Sequence, residues 1–352
     1  MKKTLIALAA VAATGAAFAQ SSVTMFGIVD MALTSIDEGG QSETSLANEG
    51  QMSNRIGFRG VEDLGGGLSA EFWLEAGFSG DTGVGATSAT NTALSFNRRS
   101  TLGVKGGFGE VRLGRDYTPT FSNHSAYTVF GTNGLGNSLN TFGFLDSGAT
   151  TGVRANNAIS YFTPNISGFT GHLMVGLKED AAANTPNEYT GLRLAYNAGP
   201  LSASLATASE GATIGEVDSY KRTNLGVTYD FGVAKVFFFH VNGKFGDLKN
   251  KQTALGVTAP VGPGTAKLSY LKASYNAAAT AADAADDDAT HITVGYDYPL
   301  SKRTVVYGVY SRVSNDGQAE FSVNYGGSGA ASTGTAAGGS SSGFAVGVRH
   351  TF

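Results

Sequence analysis

Large apolar residues recur at every second position along much of the chain. In 291–298, Ile292, Val294, Tyr296 and Tyr298 fall on one side, with His291, Thr293, Gly295 and Asp297 on the other. In 169–177, Phe169, Gly171, Leu173, Val175 and Leu177 oppose Thr170, His172, Met174 and Gly176. In 305–312, Val305, Tyr307 and Val309 oppose Thr304, Val306, Gly308, Tyr310 and Arg312. A period of two marks a strand. A soluble sandwich would alternate as well, but here the second face carries charge and glycine. The strands run about ten residues, the length that crosses a bilayer at a tilt.

Turn chemistry divides these strands at seven places: 63–67, 106–109, 163–168, 197–200, 230–232, 261–264 and 298–302. Between them lie longer polar stretches rich in Gly, Ser, Thr, Asn and Ala, at 35–51, 79–93, 116–152, 179–188, 210–218, 242–250, 276–289 and 314–342. Seven hairpins plus a first strand (22–34) and a last (343–352) predict sixteen strands. Short and long connections alternate, so the long loops gather at one end and both termini at the other. That is an even-stranded, up-and-down antiparallel barrel. One of this width leaves an aqueous channel. An unpaired edge is not viable in hydrocarbon, so the last strand must pair with the first. The terminal GFAVGVRHTF is then the closing stave, with Phe344, Val346 and Val348 outward, Arg349 and Thr351 toward the channel mouth, and His350 and Phe352 at an aromatic girdle.

Composition agrees with this reading. Fifty Gly with 7 Pro, 14 Tyr and 21 Phe suit many strands and turns. A mean hydropathy of −0.04 is what alternating lipid-facing and water-facing residues produce. At the N-terminus, Lys2-Lys3, an apolar stretch to Phe18 and Ala17-Phe18-Ala19 form a secretory signal (1–19), cut after Ala19 to leave a barrel of 20–352. Its removal takes two lysines, leaving 22 basic against 28 acidic residues, a formal −6 that argues against nucleic acid as a partner. There is no Cys and hence no disulfide framework.

The chain resembles the trimeric general porins of Gram-negative outer membranes, in particular the β-proteobacterial type. The matching stretches are Ser22 to Asp30, Arg55 to Gly65, Phe96-Asn97-Arg98-Arg99, Leu113 to Pro119, Ala158-Ile159-Ser160-Tyr161 and the terminal Phe352. They follow one another in the family's order across the whole mature chain. The resemblance implies a homotrimer of 16-stranded barrels in the outer membrane, in contact with lipid and lipopolysaccharide. Each barrel passes small hydrophilic solutes and ions, and its third long loop, about 116–152, folds inward to narrow the pore. It also implies that Phe352 is an assembly signal and that Arg55, Arg98 and Arg154 belong to a basic ladder on the wall.

Alternation puts Arg55 and Arg59 toward water, opposite Ile56 and Phe58, and Arg154 with Asn156, Ala158 and Ser160 opposite Ile159 and Tyr161. Arg98 and Arg99 are adjacent, so one of them faces the lumen: the family favours Arg98, while parity with Leu102 and Val104 favours Arg99. The loop expected to fold inward departs from the family pattern, since residues 117–145 contain no Asp, Glu, Lys or Arg. Acidic counterparts must come from Asp146, Glu75 or Asp30. The arginines imply modest anion preference, because low-dielectric walls focus their field. The alternative is that they are solvated wall residues without net selectivity. Arg115 shares parity with Val111 and Leu113, and a lone charge facing lipid is costly, which suggests a subunit interface; an aqueous rim position is the other reading.

Other patterns lead nowhere. Gly339-Ser340-Ser341-Ser342-Gly343 fits G-x-S-x-G but lies in a Gly/Ser tract with no following helix. Five histidines have no metal-ligand spacing, and 283–288 reads as a solvated acidic loop sooner than a divalent-cation site. No cofactor and no catalytic constellation is expected. A channel selective for organic anions or sugars is the alternative function, with Trp73, Phe142 and Phe144 as candidate aromatics. An adhesion barrel or an exported enzyme is the reading from another class, and bilayer conductance separates it from a channel.

Overall fold

The computed structural model describes residues 22–85, 94–142, 151–178, 189–211, 219–276, 287–323 and 335–352. The expected signal peptide lies outside them. Seventeen strands run in chain order: β1 (Ser22–Glu38), β2 (Gln41–Ala47), β3 (Arg55–Gly65), β4 (Leu68–Gly77), β5 (Arg99–Gly106) and β6 (Gly109–Tyr117). They continue with β7 (Arg154–Phe162), β8 (Phe169–Gly176), β9 (Tyr189–Ala198), β10 (Leu201–Gly211), β11 (Ser219–Asp230) and β12 (Lys235–Phe245). The last are β13 (Leu248–Val261), β14 (Gly264–Asn276), β15 (Asp287–Pro299), β16 (Thr304–Asn315) and β17 (Ser340–Thr351).

Every strand from β3 on pairs antiparallel with the next. β2 pairs with the outer half of β1 (Ala32↔Ala47) and β3 with its inner half (Met25↔Phe58), so β2 and β3 form one interrupted stave. The barrel therefore has sixteen staves. β17 closes it on β1 from Ile28↔Thr351 to Glu38↔Ser341. Gly27 and Phe352 exchange both backbone hydrogen bonds at 3.1 Å. The Phe352 ring lies over Gly27, where a Cβ would come within 2.3 Å of it. Removing Phe352 therefore strips the last rung and its ring from the seam. Deletion should lower the yield of inserted barrels several-fold while barrels that form keep wild-type unit conductance; equal insertion yields would contradict this.

All seven short turns fall where the sequence places them. Two of the long connections do not. Within 35–51, β1 and β2 continue to a tight turn at Gly39-Gly40, both with positive φ (64° and 89°). Within 242–250, β12 and β13 run on to Phe245↔Leu248. These strand ends stand beyond the apolar band, where polar residues on both faces cost nothing, so hydropathy marks the membrane and not the end of the ladder. Outward positions carry the band: Leu102, Leu113, Leu194, Leu255, Ile292 and Val346 are all exposed. At the short-turn end it finishes in aromatic side chains, among them Tyr161, Phe169, Tyr229, Tyr298 and Phe352.

The chain leaving β6 folds inward. Thr118 caps helix α1 (Pro119–Ala126), accepting from the Phe121 N–H, and Pro119 occupies the first turn, where a missing N–H is harmless. α1 lies on the inner faces of β8 to β11, and the chain continues to Phe142 along β11 to β17. Tyr127, Leu139 and Phe142 pack on Phe239, Val241 and Leu271, while Leu135 packs with Tyr307, Val309 and Val313. Glycines on the wall make room for this loop: a Cβ at Gly226 would meet the Tyr127 ring at 2.2 Å, and one at Gly256 would meet Val129 at 2.3 Å. The wall donates to the loop's backbone carbonyls, with Gln252 Nε2 to Ser138 O at 2.7 Å and Tyr275 Oη to Thr141 O at 2.9 Å.

Candidate functional site

The infolded loop covers the wall from β8 round to β17 and leaves the aperture against β3 to β7. Arg55 opens β3, Arg98 precedes β5 and Arg154 opens β7, so all three stand at the level where strands become loops. Arg98 Nε donates to Glu75 Oε1 at 2.7 Å, and Arg55 contacts the same oxygen at 3.4 Å. Trp73 Nε1 donates to the other oxygen, Oε2, at 3.1 Å. Tyr117 Oη accepts from both Arg98 (2.6 Å) and Arg154 (2.8 Å), and the Arg154 guanidinium lies 4.5 Å from the Tyr117 ring centre. Among the described residues Arg154 forms no ion pair.

A cavity of about 560 Å³ lies in front of these arginines. Its far side is the infolded loop, which contributes Phe121, Ser122, Ser125, Thr132, Asn133 and Leu139. Nothing on that side is charged. His124, the one histidine within 117–142, is fully buried against Phe239 and bonded to Ser138 Oγ at 2.8 Å; burial pushes it down to about 3. The loop wall is therefore neutral across ordinary pH.

Glu49 also lines the cavity, a residue that strand parity does not reach. It is carried there by segment 48–54, which breaks the second stave and folds over the lumen. Asp30 anchors that segment: one carboxylate oxygen accepts from the Gln51 and Met52 N–H groups at 3.0 and 2.8 Å, and the other accepts from Tyr307 Oη. Asp30 is fully buried. Contrary to its expected place among the pore acids, it holds the loop and shows no surface to the channel water. Burial pushes the Glu49 carboxyl above the usual range, against the pull of Ser53 and the arginines.

The remaining expected residues separate. Arg59 lies four residues below Arg55, about 13 Å along the strand, exposed beside the Phe26 and Trp73 rings. Asp146 and Phe144 lie outside the described residues. Phe142 belongs to the infolded loop and is buried where the loop packs on the wall. Both members of the Arg98-Arg99 pair reach the lumen, contrary to the expectation that one must turn away. β5 begins at Arg99, so Arg98 precedes the ladder and escapes its alternation. Arg99 stacks on Trp73 at 4.4 Å and meets Asp116 at 3.3 Å. Asp116 also takes Arg112 at 2.6 Å, and Arg112 takes Glu110 at 2.6 Å, so this lower tier is largely self-neutralised.

A bulge corrects one further expectation. Between Gly114↔Ala158 and Asp116↔Ala155 the register slips, with Asn157 at φ 47°. Parity does not carry across a bulge, so Asn156 does not share the lumen with Ser160. It accepts from Arg115, whose Nε also donates to Asn97 O. Arg115 thus has its N–H groups met by two neutral acceptors and forms no ion pair among the described residues, so its charge is hydrogen-bonded but not neutralised within the chain.

The family model described as Gram-negative porin matches residues 4–318. The chain is 41% identical over 369 residues to outer membrane porin protein 32 of Delftia acidovorans, with all of both chains covered. It is 30% identical over 379 residues to an outer membrane porin protein of Bordetella pertussis, covering 90% of this chain and 95% of that protein. Among solved structures, an anion-selective porin from Comamonas acidovorans superimposes with a TM-score of 0.81 at 37% identity, covering 95% of this chain and 100% of that one. OmpT of Vibrio cholerae in its trimer form shares the fold, with a TM-score of 0.67 at 16% identity over 94% of this chain and 99% of that one.

Proposed function

The chain belongs to the Gram-negative porin family and is a passive-diffusion channel of the outer membrane, and from that premise we propose that its pore prefers anions. One observation carries this reading: Arg55, Arg98 and Arg154 face, across the aperture, a loop wall with no charge. Three guanidiniums stand against Glu75 and Glu49, so positive charge is in excess where the path is narrowest. In a water-filled constriction with low-dielectric walls, such a field concentrates anions. The formal −4 of the whole chain does not decide selectivity, since only charges lining the narrow part act at short range. The anion-selective porin that this barrel matches supports the same sign.

Glu49 gives the pore a pH dependence. Its carboxyl is raised, so it loses its charge at a higher pH than an exposed glutamate, and the excess positive charge grows as pH falls. Reversal potentials in a salt gradient should therefore shift toward stronger anion preference as pH falls from neutral, before exposed glutamates protonate. In Glu49→Gln the preference should be high already at pH 7 and the shift largely absent. A pH response identical in the variant would remove Glu49 from the account.

Small hydrophilic ions and solutes at large are the proposed cargo. Trp73 is engaged by Glu75 and two guanidiniums, so its ring faces are not free for a sugar or an organic acid. Liposome swelling tests this: rates should fall smoothly with solute size at equal charge, whereas one solute outrunning smaller ones would favour the selective channel. The proposed assembly is a homotrimer exported by cleavage after Ala19, with contacts through the early strands. Arg115, hydrogen-bonded to Asn97 O and Asn156 Oδ1 but without an ion pair among the described residues, is proposed there as a contact residue.

A further inference from the structure

The lumen holds a second inward segment besides the loop that follows β6, and its contacts go well beyond carrying Glu49. Between β2 and β3 the chain pinches at Asn48 and Asn54, where Asn54 Nδ2 donates to Asn48 O (2.5 Å) and to Asn48 Oδ1 (2.8 Å). Residues 49–53 project inward from that neck. One side of them, through Glu49, Met52 and Ser53, lines the cavity in front of the arginines. The other side lies on the inner wall of β15, β16, β17 and β1. There the Gln51 amide is engaged at both ends: Nε2 donates to Asp297 Oδ1 on β15, and Oε1 accepts from Arg349 Nη1 on β17, each at 2.8 Å. Asp297 is held in turn by Lys267 of β14 at 2.6 Å. Gly50 presses the backbone onto the same wall, since a Cβ there would fall 1.7 Å from the Tyr307 hydroxyl and 2.9 Å from the Ala32 Cβ.

The segment meets the infolded loop as well. Ser53 Oγ donates to Asn133 Oδ1 at 2.7 Å. A Cβ at Gly134 would come within 1.8 Å of Gly50 O, and Gly134 has φ 69°, so both space and backbone conformation call for glycine. Segment 48–54 therefore fills the space between the infolded loop on one side and the wall of β15 to β17 on the other. Asp30 fixes its backbone from β1, and Gln51 extends the attachment to β15 and β17.

Resting on the channel reading, we infer that Gln51 is a positioning residue of the pore: it seats segment 48–54 as a second constriction element that closes the lumen between the infolded loop and β15 to β17. Ions are thereby confined to the aperture in front of Arg55, Arg98 and Arg154. The closed side has no such excess of positive charge, because Lys267 and Arg349 are balanced there by Asp297 and Asp30. A passage opened along it adds current without adding preference for anions.

Planar-bilayer recordings of the full-length protein test this with Gln51→Leu, which keeps the side-chain bulk and removes both hydrogen bonds. Its unit conductance should exceed that of wild type, and its reversal potential should move toward zero. Rescue separates positioning from general weakening of the barrel. The chain has no Cys, so Q51L/S53C/N133C carries thiols only where segment and loop meet. A short reducible bis-thiosulfonate should join them and return conductance and reversal potential to those of S53C/N133C treated in the same way. Reduction should undo the effect. Wild-type conductance and reversal potential in Q51L would overturn the role of Gln51, and so would a raised conductance that the cross-link leaves unchanged. A cross-link that fails to form in S53C/N133C would overturn the apposition itself. Wild-type barrels that do not conduct would strike the channel reading, and the role of Gln51 with it.

Discussion

Replacing Arg98 and Arg154 together by Gln should abolish anion preference and bring the pore to neutrality or mild cation preference. The two side chains meet at Tyr117 Oη and supply the positive charge that Glu75 and Glu49 leave uncompensated. A unit charge about 4 Å from a passing ion is worth roughly 1 kcal/mol in bulk water and about 4 at a protein surface. Even the lower figure changes the local anion concentration about fivefold per arginine, and two of three arginines are removed. Gln preserves hydrogen bonding to Tyr117, so the aperture should change little in size. Unit conductance is then expected to change far less than selectivity, while the reversal potential changes sign or vanishes. Unaltered reversal potentials in the double variant would show that these arginines are solvated wall residues without influence on the ion path. Arg59→Gln is the matched control, because Arg59 stands one tier lower beside aromatic rings, and its effect should be the smallest.

The second large effect is expected at Arg222. This side chain is 1% exposed, and its Nη2 group reaches Glu210 Oε1 (2.8 Å), Thr120 Oγ1 (2.7 Å) and Gly152 O (2.6 Å). Thr120 lies where the infolded loop enters and Gly152 where it leaves, so one guanidinium ties both ends of the loop to the wall of β10 and β11. Arg222→Ala removes both ties and strands the Glu210 carboxylate, itself fully buried. Breaking a buried pair from one side costs about 3–5 kcal/mol. The variant should lose heat resistance in detergent and open with larger, more variable conductance as the loop leaves its seat. Glu210→Gln/Arg222→Met removes the stranded charge and should recover most of the heat resistance while conductance stays variable. Wild-type conductance and noise in Arg222→Ala would mean that the apolar packing of Tyr127, Leu135 and Phe142 seats the loop unaided.

Much of the barrel is legible in the sequence because the bilayer imposes a strict rule on it. Each stave must alternate, each turn at one end must be tight, and the edges must meet. Leu173 against His172, or Ile292 against His291, shows which face is which without any tertiary knowledge. The rule fails where the ladder does. Arg98 lies one residue before β5, Asn156 sits in a bulge, and 48–54 leaves the second stave altogether, so parity misassigns or omits them. Glu49 reaches the pore only because a buried Asp30 gathers the Gln51 and Met52 N–H groups, a contact between residues that no local pattern links. The Glu210–Arg222 pair is invisible for the same reason, since the sequence assigns Glu210 to the polar connection 210–218 and Arg222 to the strand that follows it. The missing charge in 117–145 is readable from composition alone. That this neutral segment faces the arginines across the aperture is something only the folded chain establishes.

The reversal potential of the wild-type channel across a tenfold gradient of potassium chloride at neutral pH reads the sign of the pore's selectivity. Stepwise channel openings are expected, with a current that reverses on the chloride side of zero, and further toward it at lower pH. A reversal on the potassium side that persists in Arg55→Ala would contradict anion preference.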